Sequence, residues 1–265
     1  AGLETALEAG VPALAIDHKA YGKNREALNF NFNGWANYSN YKLDRKVPKA
    51  ISEVLEVPLT QVVYKGKPVV LEGGALEVNG KGTLITSEEC LLHPKVQVRN
   101  ANFTKTDYEA IFKEYLGVTN TIWVGDGIIG DDTHGHIDDL CRFVDEETIV
   151  TVVESDPKHK NYKALQDNLA RLEKAKLEDG RSPKIITLPM PKDILFEGLT
   201  LPASYANFLI LNKCVLVPTF NDAADRIALN TIASCFPDRE VIGISAIDLI
   251  WGFGTLHCLS QQIPV

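Results

Sequence analysis

Three times along this chain, two short apolar runs joined by turn residues lead into a helical stretch and then a further apolar run. ALEV-NGKG-TLIT (75–86) has the pattern of a hairpin turned on Asn79-Gly80 and Gly82. CRFV-DEE-TIVTVV (141–153) and ANFLIL-NK-CVLVP (206–218) repeat it. The helix expected after the first hairpin is Thr106–Gly117, with Thr106 and Glu109 spaced as a capping box and Gly117 as its stop. Its apolar positions Tyr108, Ile111, Phe112, Tyr115 and Leu116 lie along one helical face. A second helix is expected over about 161–178, with Leu165, Leu169 and Leu172 on one side and Gly180 beyond it. A third runs from an Asp222 cap to Phe236, before Pro237, and a weaker one lies near Ala50–Leu55. With strands at Thr121–Val124 and Glu240–Ile244, the result is a repeated strand–strand–helix–strand unit in an α/β chain. Such repeats suggest a ring or propeller. A hairpin with a helix is also common in α+β folds, so spacing alone leaves both open.

Bulk properties narrow the classes. At 45% hydrophobic and 23% charged residues the chain is globular, and without a Pro/Ser-rich linker it reads as a single domain over 1–265. A net charge of −8 with scattered Lys and Arg argues against nucleic-acid binding and suits a small cationic partner, although surplus carboxylates are usually a solvated surface. No uninterrupted apolar stretch reaches the roughly 18 residues a membrane span needs, and the opening residues lack a secretory pattern. Five cysteines without CxxC spacing point to a reducing, cytoplasmic compartment rather than a disulfide framework or structural zinc site. Cys90, Cys141, Cys214 and Cys235 read as small core residues.

Three patches carry more polar chemistry than packing needs. GDDTHGHIDD (130–139) holds four carboxylates and two histidines just before an apolar strand. His136 and Asp138, two residues apart, would share a face of an extended segment, one moving protons and the other holding a cation. The bland reading is a polar loop. A metal set of His134, His136 and Asp138 lacks an obvious further ligand cluster, so no metal or cofactor is expected. GFGTLHC (252–258) sets Cys258 beside His257; neighbours on a strand point apart, which makes His136 the better proton-transfer partner for the thiol. Leu71-Glu72-Gly73-Gly74, read alone, is a turn.

In this order the patches resemble the agmatine deiminase and bacterial peptidylarginine deiminase family of guanidino-group-modifying enzymes. The matching stretches are VLEGGALEVNGKGTLITSEECLL, WVGDGIIGDDTHGHIDDLCRFV, LPASYANFLILNKCVLVPTFND and GFGTLHCLSQQIP. The resemblance implies a pseudo-fivefold α/β propeller, pentein-like, of strand–strand–helix–strand units around a central pocket. It implies Cys258 as nucleophile on the guanidinium carbon, and His136 as acid to departing ammonia and then base to water. Glu72 would orient His136, Asp138 would clamp the guanidinium, and Asn207 would position substrate, with Asp132 and Trp35 (in FNFNGWAN) lining the pocket. The family's WxRDxGP-like N-terminal stretch, whose Asp is a second clamp, has no counterpart here; AGLETALEAGVPALAID reads as a short helix and a strand. The first repeat is therefore expected to be incomplete, at about 2–5 kcal/mol in substrate binding for a lost buried charge contact. Phe253 and Thr255 stand where the family's GGGNIHC has Gly and Asn, which loosens the substrate more than the reaction. The expected activity is hydrolysis of agmatine to N-carbamoylputrescine and ammonia. The alternatives are a protein- or peptide-arginine deiminase, a catalytically impaired ligand-binding relative and, most remotely, a metal-dependent hydrolase. A homodimer is an open expectation.

Overall fold

The computed structural model describes residues 26–262, together with the short strands Thr5–Ala6 and Leu14–Ile16. The helix expected at the N-terminus falls largely outside these residues, and Thr5–Ala6 is a strand paired antiparallel with Leu14–Ile16.

Each repeat is a three-element sheet crossed by one helix. In the second unit Glu77–Val78 pairs antiparallel with Thr83–Ser87, and helix Lys105–Leu116 returns the chain to Asn120–Val124, parallel to Thr83–Ser87. The third unit runs Cys141–Phe143, Thr148–Val153, helix Tyr162–Lys174 and Lys184–Pro189. The fourth runs Leu209–Ile210, Cys214–Thr219, helix Ala224–Cys235 and Glu240–Ser245. The first has the same order: Leu14–Ile16, Ala27–Asn29, helix Val47–Leu55 and Leu59–Gln61. The described residues thus hold four units with this order of elements.

Local chemistry accounts for the elements. The turn at 79–82 closes because Asn79 Oδ1 accepts the amides of Lys81, Gly82 and Thr83 at 2.9, 3.2 and 3.0 Å. Thr148–Val153 is buried along almost its whole length, being flanked by strands on both sides and covered by a helix, and its TIVTVV sequence suits that place. The helix after the first hairpin starts earlier than its periodicity suggests. Its cap is Thr104, boxed with Asp107, instead of Thr106 with Glu109. Gly117 ends it in the left-handed conformation at φ 65°, as expected. Helix Tyr162–Lys174 stops short of Gly180, because Ala175 turns extended and Leu177 folds into the core.

One buried ion pair joins three units. Arg142 Nε donates to Glu77 Oε2 at 2.8 Å, and its guanidinium also donates to the Phe208 carbonyl at 2.8 Å. Glu77 Oε1 accepts the Phe143 amide at 2.9 Å. Removing one partner of such a pair strands the other charge away from water. Glu77→Ala is therefore expected to cost about 3–5 kcal/mol of stability, read from urea denaturation, far beyond the change at an exposed glutamate such as Glu53.

Candidate active site

The polar patches occupy equivalent places in successive units. Glu72, His136 and Asn207 each lie no more than five residues before the first strand of a unit, those strands being Glu77–Val78, Cys141–Phe143 and Leu209–Ile210. Short 3-10 turns at Gly73–Ala75 and Ile137–Asp139 make these entries compact. The repeat thereby delivers polar groups from distant sequence to one cluster.

The four carboxylates of GDDTHGHIDD separate into distinct roles. Asp131 builds the loop: its carboxylate accepts the amides of Thr133, Gly135 and His136 at 2.8, 2.7 and 3.0 Å. Gly135 sits at φ +94°, where a Cβ would lie 3.0 Å from Glu89, so the approach needs glycine. Asp138 and Asp139 are buried behind it, and Asp132 faces outward to Tyr38. The expected extended face for His136 and Asp138 is corrected. His136 is extended, but residues 137–139 form a 3-10 turn, and the two side chains still come together with Nδ1 and Oδ1 4.0 Å apart.

Asp138 is where the groups meet. Its Oδ2 accepts from His257 Nδ1 at 2.8 Å, from Asn207 Nδ2 at 3.2 Å and from the Cys258 thiol at 3.4 Å. Its Oδ1 faces His136 and has no hydrogen-bond partner. Both ring nitrogens of His136 are likewise buried without a partner. Gly74 permits this meeting, since a Cβ there would lie 2.4 Å from His136 Nδ1 and 3.0 Å from Asp138 Oδ1. Three unsatisfied polar atoms beside one thiol are unusual, because buried polar atoms are nearly always paired.

Glu72 stands 3.7 Å from His136 Nε2, an ion-pair distance too long for a hydrogen bond. Its direct partner is Arg99, whose Nε lies 3.2 and 3.3 Å from the two carboxylate oxygens. The Arg99 guanidinium also donates to the carbonyls of Thr133 and Gln97, tying the histidine loop to Glu72. Sequence reasoning missed Arg99, which sits in VQVRNAN with no motif around it. It also set His257 aside on strand geometry. Residues 256–259 form a turn instead, and His257 and Cys258 both reach Asp138. Cys90, read as a core thiol, is buried but packs beside this charged pair: it, Glu72 and His136 each offer a ligand atom within 4.8 Å of one another, as do Asp138, Asp139 and Cys258. The His134, His136, Asp138 set does not converge, because His134 turns to Glu89 at 3.2 Å.

Burial opposes charge throughout. It works against ionisation of Asp138, yet the His257 hydrogen bond and nearby cationic groups hold that carboxyl below its usual range. Asp139 is pushed well above its range by burial and by the Asp138 charge. Burial and both aspartates push the Cys258 thiol up, and burial lowers His257. Burial also opposes the charge on Glu72, but Arg99 and His136 outweigh it and lower its pKa.

Asp132 and Trp35 form a separate part of the cluster. Tyr38 donates to Asp132 at 2.6 Å, the Trp35 and Tyr38 rings meet edge to face with centroids 5.8 Å apart, and Gln97 donates to the carbonyls of both Trp35 and Asp132. Asn207 is already saturated by protein partners, which does not suit the substrate contact expected of it.

The family model for Porphyromonas-type peptidyl-arginine deiminase matches residues 11–264. The agmatine deiminase of Pseudomonas fluorescens is 34% identical over 260 residues, covering 89% of this chain and 69% of the relative. The solved agmatine deiminase of Enterococcus faecalis superposes with a TM-score of 0.86 at 30% identity, covering 97% of this chain and 74% of that one. A substrate-bound agmatine deiminase from C. jejuni gives 0.80 at 33% identity, over 90% of this chain and 68% of that one. The α/β fold is shared with these structures.

Arg99→Leu tests the Glu72 pair. In the native protein Glu72 has a lowered pKa, so its contribution to stability is present at neutral pH and lost as pH falls through its folded value. Without Arg99, burial prevails, the pKa rises above the unfolded value, and the site becomes least favourable at neutral pH. The expected loss is about 3–5 kcal/mol at pH 7 and distinctly less at pH 4.5, measured by urea denaturation at both.

Proposed function

This chain belongs to the Porphyromonas-type peptidyl-arginine deiminase family, and we propose that it hydrolyses the guanidinium group of agmatine through a covalent adduct on Cys258. The observation that carries this is the unpartnered set of Asp138 Oδ1 and the two His136 ring nitrogens, gathered about the carboxylate that also accepts from the Cys258 thiol. A planar guanidinium has five N–H donors and no acceptor, and it would satisfy the carboxylate oxygen by a charge-assisted hydrogen bond. It would also place its carbon near the sulfur. The similarity to agmatine deiminases supports the reaction class.

The chemistry follows from the electrostatics. In the empty site burial and two aspartates disfavour a thiolate. A guanidinium held by Asp138 brings a positive charge that offsets them, and the thiol proton passes to His136. The thiolate attacks the guanidinium carbon, and the neutral tetrahedral adduct takes that proton on one amino group, which leaves as ammonia. The S-alkylthiouronium then accepts water, whose proton goes to His136. Collapse expels the thiolate, the ureido product sheds its extra proton to the released ammonia, and His136 reprotonates Cys258. Glu72, fixed by Arg99, sets the field on His136. Asn207 serves by holding the site together, and Asp132 with Trp35 receives the substrate's cationic tail.

The rest of the proposal concerns the whole chain. The four units are blades of the pseudo-fivefold propeller that the family resemblance implies, within one catalytic domain over 1–265. No cofactor is invoked, and the partner is a small cationic guanidine, neither nucleic acid nor membrane. Five free cysteines support a cytoplasmic setting, with a homodimer as the assembly to test. A peptidyl-arginine substrate is the second reading, favoured by the description of the matching family.

Ureido-product assays on agmatine, free arginine and a peptidyl-arginine are expected to show turnover of agmatine foremost. Cys258→Ala is expected to abolish it, and His136→Asn to lower kcat about 10²- to 10⁴-fold. EDTA is expected to leave the rate unchanged. Turnover of the peptide alone would replace the substrate, activity surviving Cys258→Ala would overturn the mechanism, and no turnover of any guanidine would leave a ligand-binding relative.

A further inference from the structure

The Asn207 side chain is held from both ends. Its Oδ1 accepts from Thr255 Oγ1 at 2.7 Å and from the backbone amides of His257 and Cys258 at 3.1 and 3.2 Å. Its Nδ2 lies 3.0 Å from Cys258 Sγ, 3.0 Å from Asp139 Oδ1 and 3.2 Å from Asp138 Oδ2. The two backbone amides can only donate, so the oxygen of the carboxamide must face them and the nitrogen must face the thiol. A hydroxyl opposite the same oxygen must donate too. Thr255 and Asn207 are both buried, so no water competes with these bonds, and three donors on one carbonyl polarise the amide and strengthen its N–H as a donor. Asn207 Nδ2 is a side-chain donor to Cys258 Sγ, beside a backbone hydrogen bond to the thiol from Thr255.

We propose that Thr255 is a positioning residue, whose hydroxyl fixes and polarises the Asn207 carboxamide so that its N–H stabilises the thiolate of Cys258. That hydroxyl is bonded to Asn207 and not to the sulfur, and the backbone hydrogen bond from Thr255 to the thiol is unchanged when the side chain is altered. Its effect passes through Asn207, and it rests on Cys258 being the nucleophile proposed above. What position 255 demands is a hydrogen-bond donor.

The test is Thr255→Val, nearly the same shape without the hydroxyl, compared with Thr255→Ser, which restores it. The rate of Cys258 alkylation by iodoacetamide, followed at that peptide by mass spectrometry, reports thiolate formation without any substrate. Thr255→Val is expected to slow alkylation about three- to tenfold at a given pH and to move its pH profile upward. It should lower kcat on agmatine by a similar factor, with KM within about twofold of the native value. Thr255→Ser should stay within about twofold of native on every measure. If Thr255→Val is recovered unfolded, Thr255→Ala against Thr255→Ser makes the same comparison. An unshifted profile in the hydroxyl-less variant would overturn the proposal, as would a serine variant that fails in the same way. Should the native protein turn over no guanidine while the alkylation difference holds, the deiminase function fails and the positioning role stands.

Discussion

A buried carboxylate governs the centre of this molecule. Asp138 sits out of reach of solvent and keeps its charge because His257, Asn207 and the Cys258 thiol all donate to one of its oxygens. Its other oxygen is left open toward His136. An ionised group in that position is tolerable only while its partners hold their places. The Cys258 turn, the Asn207 turn and the histidine loop are therefore bound to one another through it, and a shift in any of them would leave the charge unsatisfied.

Around that centre the charges are arranged in pairs that do not compete. Arg99 satisfies Glu72 and Arg142 satisfies Glu77, so neither arginine is drawn to Asp138 by direct contact. Burial and the neighbouring Asp138 charge push the Asp139 pKa well up, which disfavours a second negative charge beside the sulfur. The carboxylate that accepts from the thiol keeps one open lone-pair edge, where the proposed guanidinium would bind. This arrangement disfavours the thiolate in the empty site, and a cation beside Asp138 would offset that field. The repeat makes the convergence inexpensive in chain length. The second, third and fourth units each contribute a short turn just before their first strand, and the sheets and helices behind hold those turns in place.

Much of the fold could be read from the chain itself. Asn79, Gly80 and Gly82 announce a hairpin that forms as they imply, and Gly117 ends its helix in the left-handed region. The errors were local ones of register. Thr104 with Asp107 and Thr106 with Glu109 both fit a capping pattern, and tertiary burial of Asp107 and Tyr108 selected the first. The strand argument against His257 failed because Gly254 and Thr255 lead into a turn, and in a turn adjacent side chains can face the same way.

The amino-acid sequence alone determined the alternation of hairpins and helices, the turn chemistry and the identity of the reactive types, Cys258, His136, Asp138 and Glu72. These depend on neighbours a few residues apart, and short-range sterics and hydrogen bonding decide them. The tertiary structure alone decided that Arg99 neutralises Glu72, that Asn207 spends its amide on the Cys258 turn, and that His136 and Asp138 keep unpartnered edges facing one another. The first two join residues 27 to 51 positions apart, and the third depends on how two close neighbours are turned. Their energies depend on burial and orientation, which exist only once the units have packed.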